Sequence, residues 1–340
     1  MDMNHKILVT LGPSSMQQDI IGEMEKENVY LFRINLSHTP AELIEDVISE
    51  VQSYTKVPVC IDSEGAQVRN HKMQDGQVFL KKSDVVKIHF DEVLGDSNNI
   101  SFSPNYVAKQ LRIDDELRID FNSASIKVFE KNKDHCLAKV IVEGKIGSNK
   151  ATDLNRELEM EAITPKDRKA IAIGRKMGIK NYSLSFAGSK EDIKLLRELA
   201  GTDINVISKI ESKKGLCNLN DILHESDEIL IDRGDLSRQV DIVKIPFFQR
   251  RIISMARSKR VPVNVATNLL ESMITFHIPT RAEVNDVVST LLDGANGLVL
   301  AAETAIGRYP VETVRIVRQL ISQVERWTPN TSIKELLEGE

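Results

Sequence analysis

Eight short apolar, β-branched runs recur along this chain, at Ile7–Leu11, Val29–Ile34, Pro58–Asp62, Lys180–Ser185, Ile204–Ser208, Glu228–Asp232, Pro262–Ala266 and Gly297–Ala301. Most are followed by a stretch with helical spacing, as over 17–26, 40–55, 190–199, 247–258, 281–292 and 310–324. A strand buried on one face alternates apolar and polar residues; these runs do not, so both faces are expected to be covered. Eight βα units with such strands predict an α/β fold, a closed (β/α)8 TIM barrel. With 340 residues, 41% of them hydrophobic, the chain can bury a core of that size.

The third and fourth runs lie too far apart for one βα connection, and between them the chain changes character. Over 71–151 the spacing predicts short strands at 77–80, 85–90, 117–120, 125–129 and 137–142, separated by Asp, Asn, Gly and Ser turns with little helical periodicity. A small all-β domain inserted after strand 3 is expected, with 1–70 and 152–340 forming the barrel. Leaving from the C-terminal end of strand 3, it would stand over the barrel mouth and act as a lid. The acidic tail, 328–340, is expected to be a surface helix.

A net charge of −5 provides no general basic field, so a nucleic-acid partner is not expected and any anionic ligand must be held by local lysines and arginines. That favours a small-molecule site. Cys60, Cys136 and Cys217 are far apart and form no CxxC pair, so zinc is not expected and a metal would be a hard, oxygen-bound ion. The N-terminus lacks a basic region followed by an apolar run, and no stretch is apolar enough to span a membrane. A cytoplasmic protein without a membrane partner is the expectation.

Chemistry in such barrels sits at the C-terminal ends of the strands, and there this chain gathers polar groups from every strand. Lys209 and Glu211 are two apart on an extended segment and should share a face. Asp235 follows the next strand, past a turn containing Gly234, where it could meet Glu211 around Mg²⁺. The plain alternative is a charged strand end with an ordinary ion pair. Arg33, Arg69 and Lys209 offer donors for a phosphate or carboxylate, while Asn35, Ser37 and Asp62 could form an oxygen cage for a monovalent cation. Ser185, Thr267, Glu303 and Thr304 also fall at strand ends, where single polar residues are usually caps or turns.

These segments resemble the pyruvate kinase family over nearly the whole chain. The resemblance is carried, in order, by the run from Lys6 to Ser15, Arg33 to His38, Ser208 to Glu211, Arg233 to Leu236, Ala266 to Met273, Pro279 to Glu283, and Glu303 to Ala305. It implies phosphoryl transfer between phosphoenolpyruvate and ADP, with Glu211 and Asp235 holding Mg²⁺ (or Mn²⁺). Lys209 would stabilise charge on the phosphoryl group and enolate, Arg33 would bind phosphate, and Thr267 would lie beside the carbon that is protonated. Asn35, Ser37, Asp62 and Ser63 match potassium ligands, while Pro13, His38, Arg69, Lys150 and Gly234 match nucleotide, phosphate or substrate contacts. The inserted module matches the family's mobile domain. The usual C-terminal regulatory domain has no counterpart in the sequence, so effector control through it is not expected; a homodimer through barrel surfaces is compatible with the resemblance.

The motifs also depart from the family. Glu64 stands where lysine is usual, Gln67 where potassium-dependent members have glutamate, Gly188 where arginine is usual, Asn268 in place of glutamine, and Ala301-Ala302 in place of Ser-Gly. Three readings remain open at this level: a pyruvate kinase, a relative using the same metal–enolate chemistry on another 2-oxo acid or phosphorylated acceptor, and a non-catalytic phospho-ligand binder.

Overall fold

A computed structural model describes residues 5–121 and 123–338. Among the described residues, eight parallel strands close into a barrel: β1 (Lys6–Thr10), β2 (Leu31–Asn35), β3 (Val59–Asp62), β4 (Asn181–Leu184), β5 (Asn205–Ile210), β6 (Glu228–Asp232), β7 (Val263–Ala266) and β8 (Gly297–Leu300). Each pairs with its sequence neighbours, and β8 returns to β1 through the register Ile7↔Leu298 and Leu8↔Val299.

The missing alternation in the sequence has a direct structural cause. One set of strand residues, Leu8, Leu31, Cys60, Ile207, Leu230, Ala266 and Val299, forms an inner cluster. The residues between them, such as Ile7, Val9, Phe32, Ile34, Ile61 and Ile229, pack outward into the core shared with the helices. Both faces exclude water, so both are apolar.

Helices at Gln18–Lys26, Ile44–Tyr54, Lys190–Ala200, Ile245–Ser258, Arg281–Leu292 and Pro310–Arg326 lie where the apolar spacing placed helices. A further helix, Pro165–Lys176, was not read from that spacing. Its start is nevertheless marked by chemistry, because Thr164 and Asp167 form a reciprocal capping box with Pro165 in the first turn. The fully buried Asp167 carboxylate also accepts the backbone N–H groups of Glu64 (2.7 Å) and Gly65 (3.1 Å), fixing the loop after β3. The tail carries a short helix at Ile333–Glu338.

The chain divides into two compact units, one built from the chain up to Gly65 and from Ala162 onward, the other from Ala66–Glu161. The second unit is wider than the 71–151 read from composition. Arg69–Asn70 pairs with Asn99–Ser103, and Thr152–Leu154 pairs with Glu116–Ile119, so both flanking segments belong to its sheet. Among the described residues this sheet has seven strands, with a separate pair formed by Gln77–Leu80 and Gly144–Gly147, and one short α-helix, Tyr106–Gln110. Its core is its own, built on Val86, Ile88, Ile100, Phe102, Leu117, Ile126, Val128 and Ala138.

Candidate active site

The C-terminal strand ends of the barrel converge on Lys209, which β5 carries inward and which is 5% exposed. Its ammonium lies 2.9 Å from Glu211 Oε1, 3.4 Å from Asp62 Oδ1 and 3.9 Å from Asp232 Oδ2, and donates to Ser185 Oγ at 3.1 Å. The common face expected for Lys209 and Glu211 is therefore present. Burial alone would disfavour the ammonium, but Asp62, Glu211 and Asp232 outweigh it and push the lysine pKa up. Lys209 is a fixed positive charge, not a proton carrier.

Arg33, 4% exposed, is oriented from two sides: its Nε donates to Thr10 Oγ1 at 2.9 Å, and its Nη1 lies 3.2 Å from Asp62 Oδ2. Asp62, 1% exposed, thus sits between the two cations. Ser63 holds the next strand end, accepting Ser185 N–H on Oγ (2.8 Å) and Ser185 Oγ–H on its carbonyl (2.6 Å). Asn35 is the register partner of Asp62, and its Oδ1 accepts the Ser37 N–H at 2.9 Å, so Asn35, Ser37, Asp62 and Ser63 occupy two adjacent strand ends. Pro13 and His38 are exposed in the turns that follow β1 and β2.

The acidic side of the site has three members, one more than the sequence suggested. Single carboxylate oxygens of Glu211, Asp232 and Asp235 lie within 4.8 Å of one another. Glu211 is fully buried; its Oε2 accepts the Phe186 N–H at 2.7 Å, whereas Oε1 has only an unaligned ion-pair contact with Lys209 and no hydrogen bond. Burial, followed by repulsion from Asp235 and Asp232, drives the Glu211 pKa up against the pull of Lys209. Burial and Asp232 likewise raise that of Asp235, although Arg238 Nη1 pairs with its Oδ1 at 2.7 Å. Asp232 moves the other way: burial opposes ionisation, but Lys209, the Thr267 hydroxyl and Arg33 hold it low. Three hard oxygen donors with more negative charge than their neighbours neutralise fit a divalent cation such as Mg²⁺.

Thr267 follows β7 with φ +77, a left-handed conformation that a β-branched residue rarely adopts. Arg233 grips its carbonyl through Nη2 (2.6 Å) and Nε (3.1 Å), while Asp286 holds Arg233 at 2.7 Å. Neither Asp232 nor Arg233 was assigned a role from sequence, although both adjoin Gly234-Asp235; an acid ending one strand beside another acid was the available signal. Glu303 and Thr304 serve the frame. The Glu303 carboxylate accepts Leu270 and Ala301 N–H groups, and Thr304 Oγ1 donates to the Thr10 carbonyl at 2.8 Å.

Arg69 and Lys150 belong to the second unit. Arg69 Nη1 donates to the Asn149 carbonyl at 2.8 Å, and Lys150 lies 3.6 Å from Asp120. The departures at the rim also find partners. Glu64 Oε1 lies 3.8 Å from Lys166 Nζ, Asn268 donates to Glu271, and a side chain at Gly188 would meet the Lys214 stem at 2.9 Å.

A parallel barrel whose mouth sets a buried lysine and arginine against carboxylate oxygens defines a candidate active site of the (β/α)8 class. Comparison with known proteins narrows this class. The family model "Pyruvate kinase, barrel domain" matches residues 3–314. Pyruvate kinases of Thermotoga maritima and Thermococcus litoralis are each 32% identical to this chain, across 94% and 97% of it and 71% and 72% of their own lengths. A crystal structure of a pyruvate kinase from Cryptosporidium parvum matches with a TM-score of 0.85 at 30% identity, covering 96% of this chain and 70% of that one. The chain belongs to the pyruvate kinase family, whose activity is that of a phosphotransferase.

Proposed function

We propose that the barrel mouth transfers a phosphoryl group between phosphoenolpyruvate and ADP, with Glu211 and Asp235 holding Mg²⁺ or Mn²⁺ and Asn35, Ser37, Asp62 and Ser63 offering oxygens to K⁺. The observation that carries this reading is the burial of Lys209 within 2.9 Å of Glu211 and 3.4 Å of Asp62. A fixed ammonium in a water-poor site stabilises charge that develops on a transferring phosphoryl group without further reorganisation. Arg33, aligned by Thr10 and Asp62, binds the phosphate. A bound divalent ion would supply Lewis-acid stabilisation of the enolate oxygen. Thr267, with its hydroxyl held at the same rim, faces the carbon that receives the proton. Pro13, His38, Gly234, Arg69 and Lys150 are the proposed contacts for nucleotide, phosphate and substrate.

Pyruvate formation from phosphoenolpyruvate and ADP, followed in a coupled assay with and without Mg²⁺ and K⁺, tests the reading. Mg²⁺-dependent turnover is expected. Failure of pyruvate to form under any of these conditions would transfer the site to another 2-oxo acid or phosphorylated acceptor.

A further inference from the structure

Asp232 ends β6 and makes two contacts that helix capping does not require. Capping explains why Oδ1 accepts the N–H groups of Gly234 (3.2 Å) and Asp235 (3.5 Å) at the start of the helix Arg233–Gln239. It does not explain why the same oxygen takes the Thr267 hydroxyl at 2.7 Å, the shortest of the three contacts, nor why Oδ2 faces Lys209 at 3.9 Å.

Thr267 itself is restrained from three directions. Asp232 holds its hydroxyl, Arg233 holds its carbonyl, and Gly234 leaves space for its methyl, since a Cβ there would lie 2.8 Å from Thr267 Cγ2. A β-branched residue kept at positive φ persists only where its surroundings over-determine it, and such positions concentrate at functional sites.

We propose that Asp232 is a positioning residue joining the two halves of the site: it contributes a third carboxylate toward the divalent ion, and it fixes the Thr267 hydroxyl in one direction. This rests on the metal reading above. With one carboxylate serving both, the charge that favours the ion and the orientation of Thr267 are set by the same side chain.

The test uses the full chain. Mn²⁺ is titrated into the substrate-free protein, and unbound ion is read by electron paramagnetic resonance for the parent and Asp232→Asn. The asparagine keeps an oxygen for Thr267 and the helix amides but removes the charge, so affinity should fall about tenfold or more. A parent that binds no Mn²⁺ would overturn the metal reading and this inference together. A parent that binds, with an unchanged asparagine variant, would overturn the contribution of Asp232 to the ion and leave the metal reading standing.

Orientation of Thr267 is read separately, as solvent exchange of pyruvate methyl hydrogens at saturating Mn²⁺. Asp232→Ala, lacking the acceptor, should fall by up to about a hundredfold below Asp232→Asn, which keeps an oxygen for the Thr267 hydroxyl. Equal rates in the two variants would remove the positioning role.

Discussion

Lys209 balances three carboxylates at once, so its loss has two separable consequences. Lys209→Met should abolish phosphoryl transfer, because it removes the buried ammonium proposed to stabilise charge on the reacting group. It should also lower the stability of the metal-free protein by about 3–5 kcal/mol, since it leaves buried acids uncompensated. Denaturant unfolding with and without Mg²⁺ checks this: added Mg²⁺ should recover part of the stability but none of the activity. The proposed potassium site makes a second prediction at this scale. Gln67 lacks the charge of the glutamate that the resemblance assigns to potassium-dependent members, while Asp62 still offers a formal negative charge among Asn35, Ser37 and Ser63. Turnover should rise with K⁺ in a sodium-free buffer without vanishing in its absence, and Gln67→Lys should flatten the response. A parent already insensitive to K⁺ would make the cage vestigial.

At the scale of elements, the helix Arg281–Leu292 shows how a family motif can serve architecture. Glu283 accepts the Ser272 N–H (2.7 Å) and hydroxyl (2.6 Å) and the Thr280 N–H (2.7 Å), tying the helix start to the loop after β7. Partial burial works against its charge, but the Ser272 and Thr280 donors prevail and hold its pKa below the ordinary 4.5. A carboxylate depressed on folding adds stability above its unfolded pKa and loses it as pH falls through the folded value. Glu283→Ala should therefore cost about 1 kcal/mol at neutral pH, as a lost cap does. Thermal melts should show the gap between parent and variant constant above about pH 5.5 and closing below about pH 4; a gap independent of pH would assign the effect to packing.

At the scale of the whole molecule, each unit has its own buried core and its own sheet. Replacing residues 66–161 by a short Gly-Ser bridge should leave a barrel that unfolds cooperatively, because the ends to be joined leave and re-enter one unit. Catalysis should fall to a small fraction of the parent, since Arg69 and Lys150, proposed above as substrate contacts, go with the excised unit. Circular dichroism melts and the coupled assay report the two outcomes independently. A bridged chain without a melting transition would mean that the barrel depends on its insertion.

Periodicity made the barrel legible, because burial of a strand on both faces imposes a local composition, and Leu8 inside with Val9 outside are equally apolar. The pairing of Lys209 with Glu211 was legible for a similar local reason: two residues apart on a strand share a face whatever surrounds them. The insertion was visible as a change of texture, but its edges were not, since Arg69–Asn70 and Thr152–Leu154 become strands only through partners far along the chain. Asp232 shows the same limit inside the site. In sequence it is one acid beside an Arg-Gly-Asp run, and only closure of the barrel brings Thr267 from β7 and Lys209 from β5 to its two oxygens. Spacing along a strand is set by covalent geometry and can be read in advance, whereas which charges face one another across three strands is decided when the sheet closes.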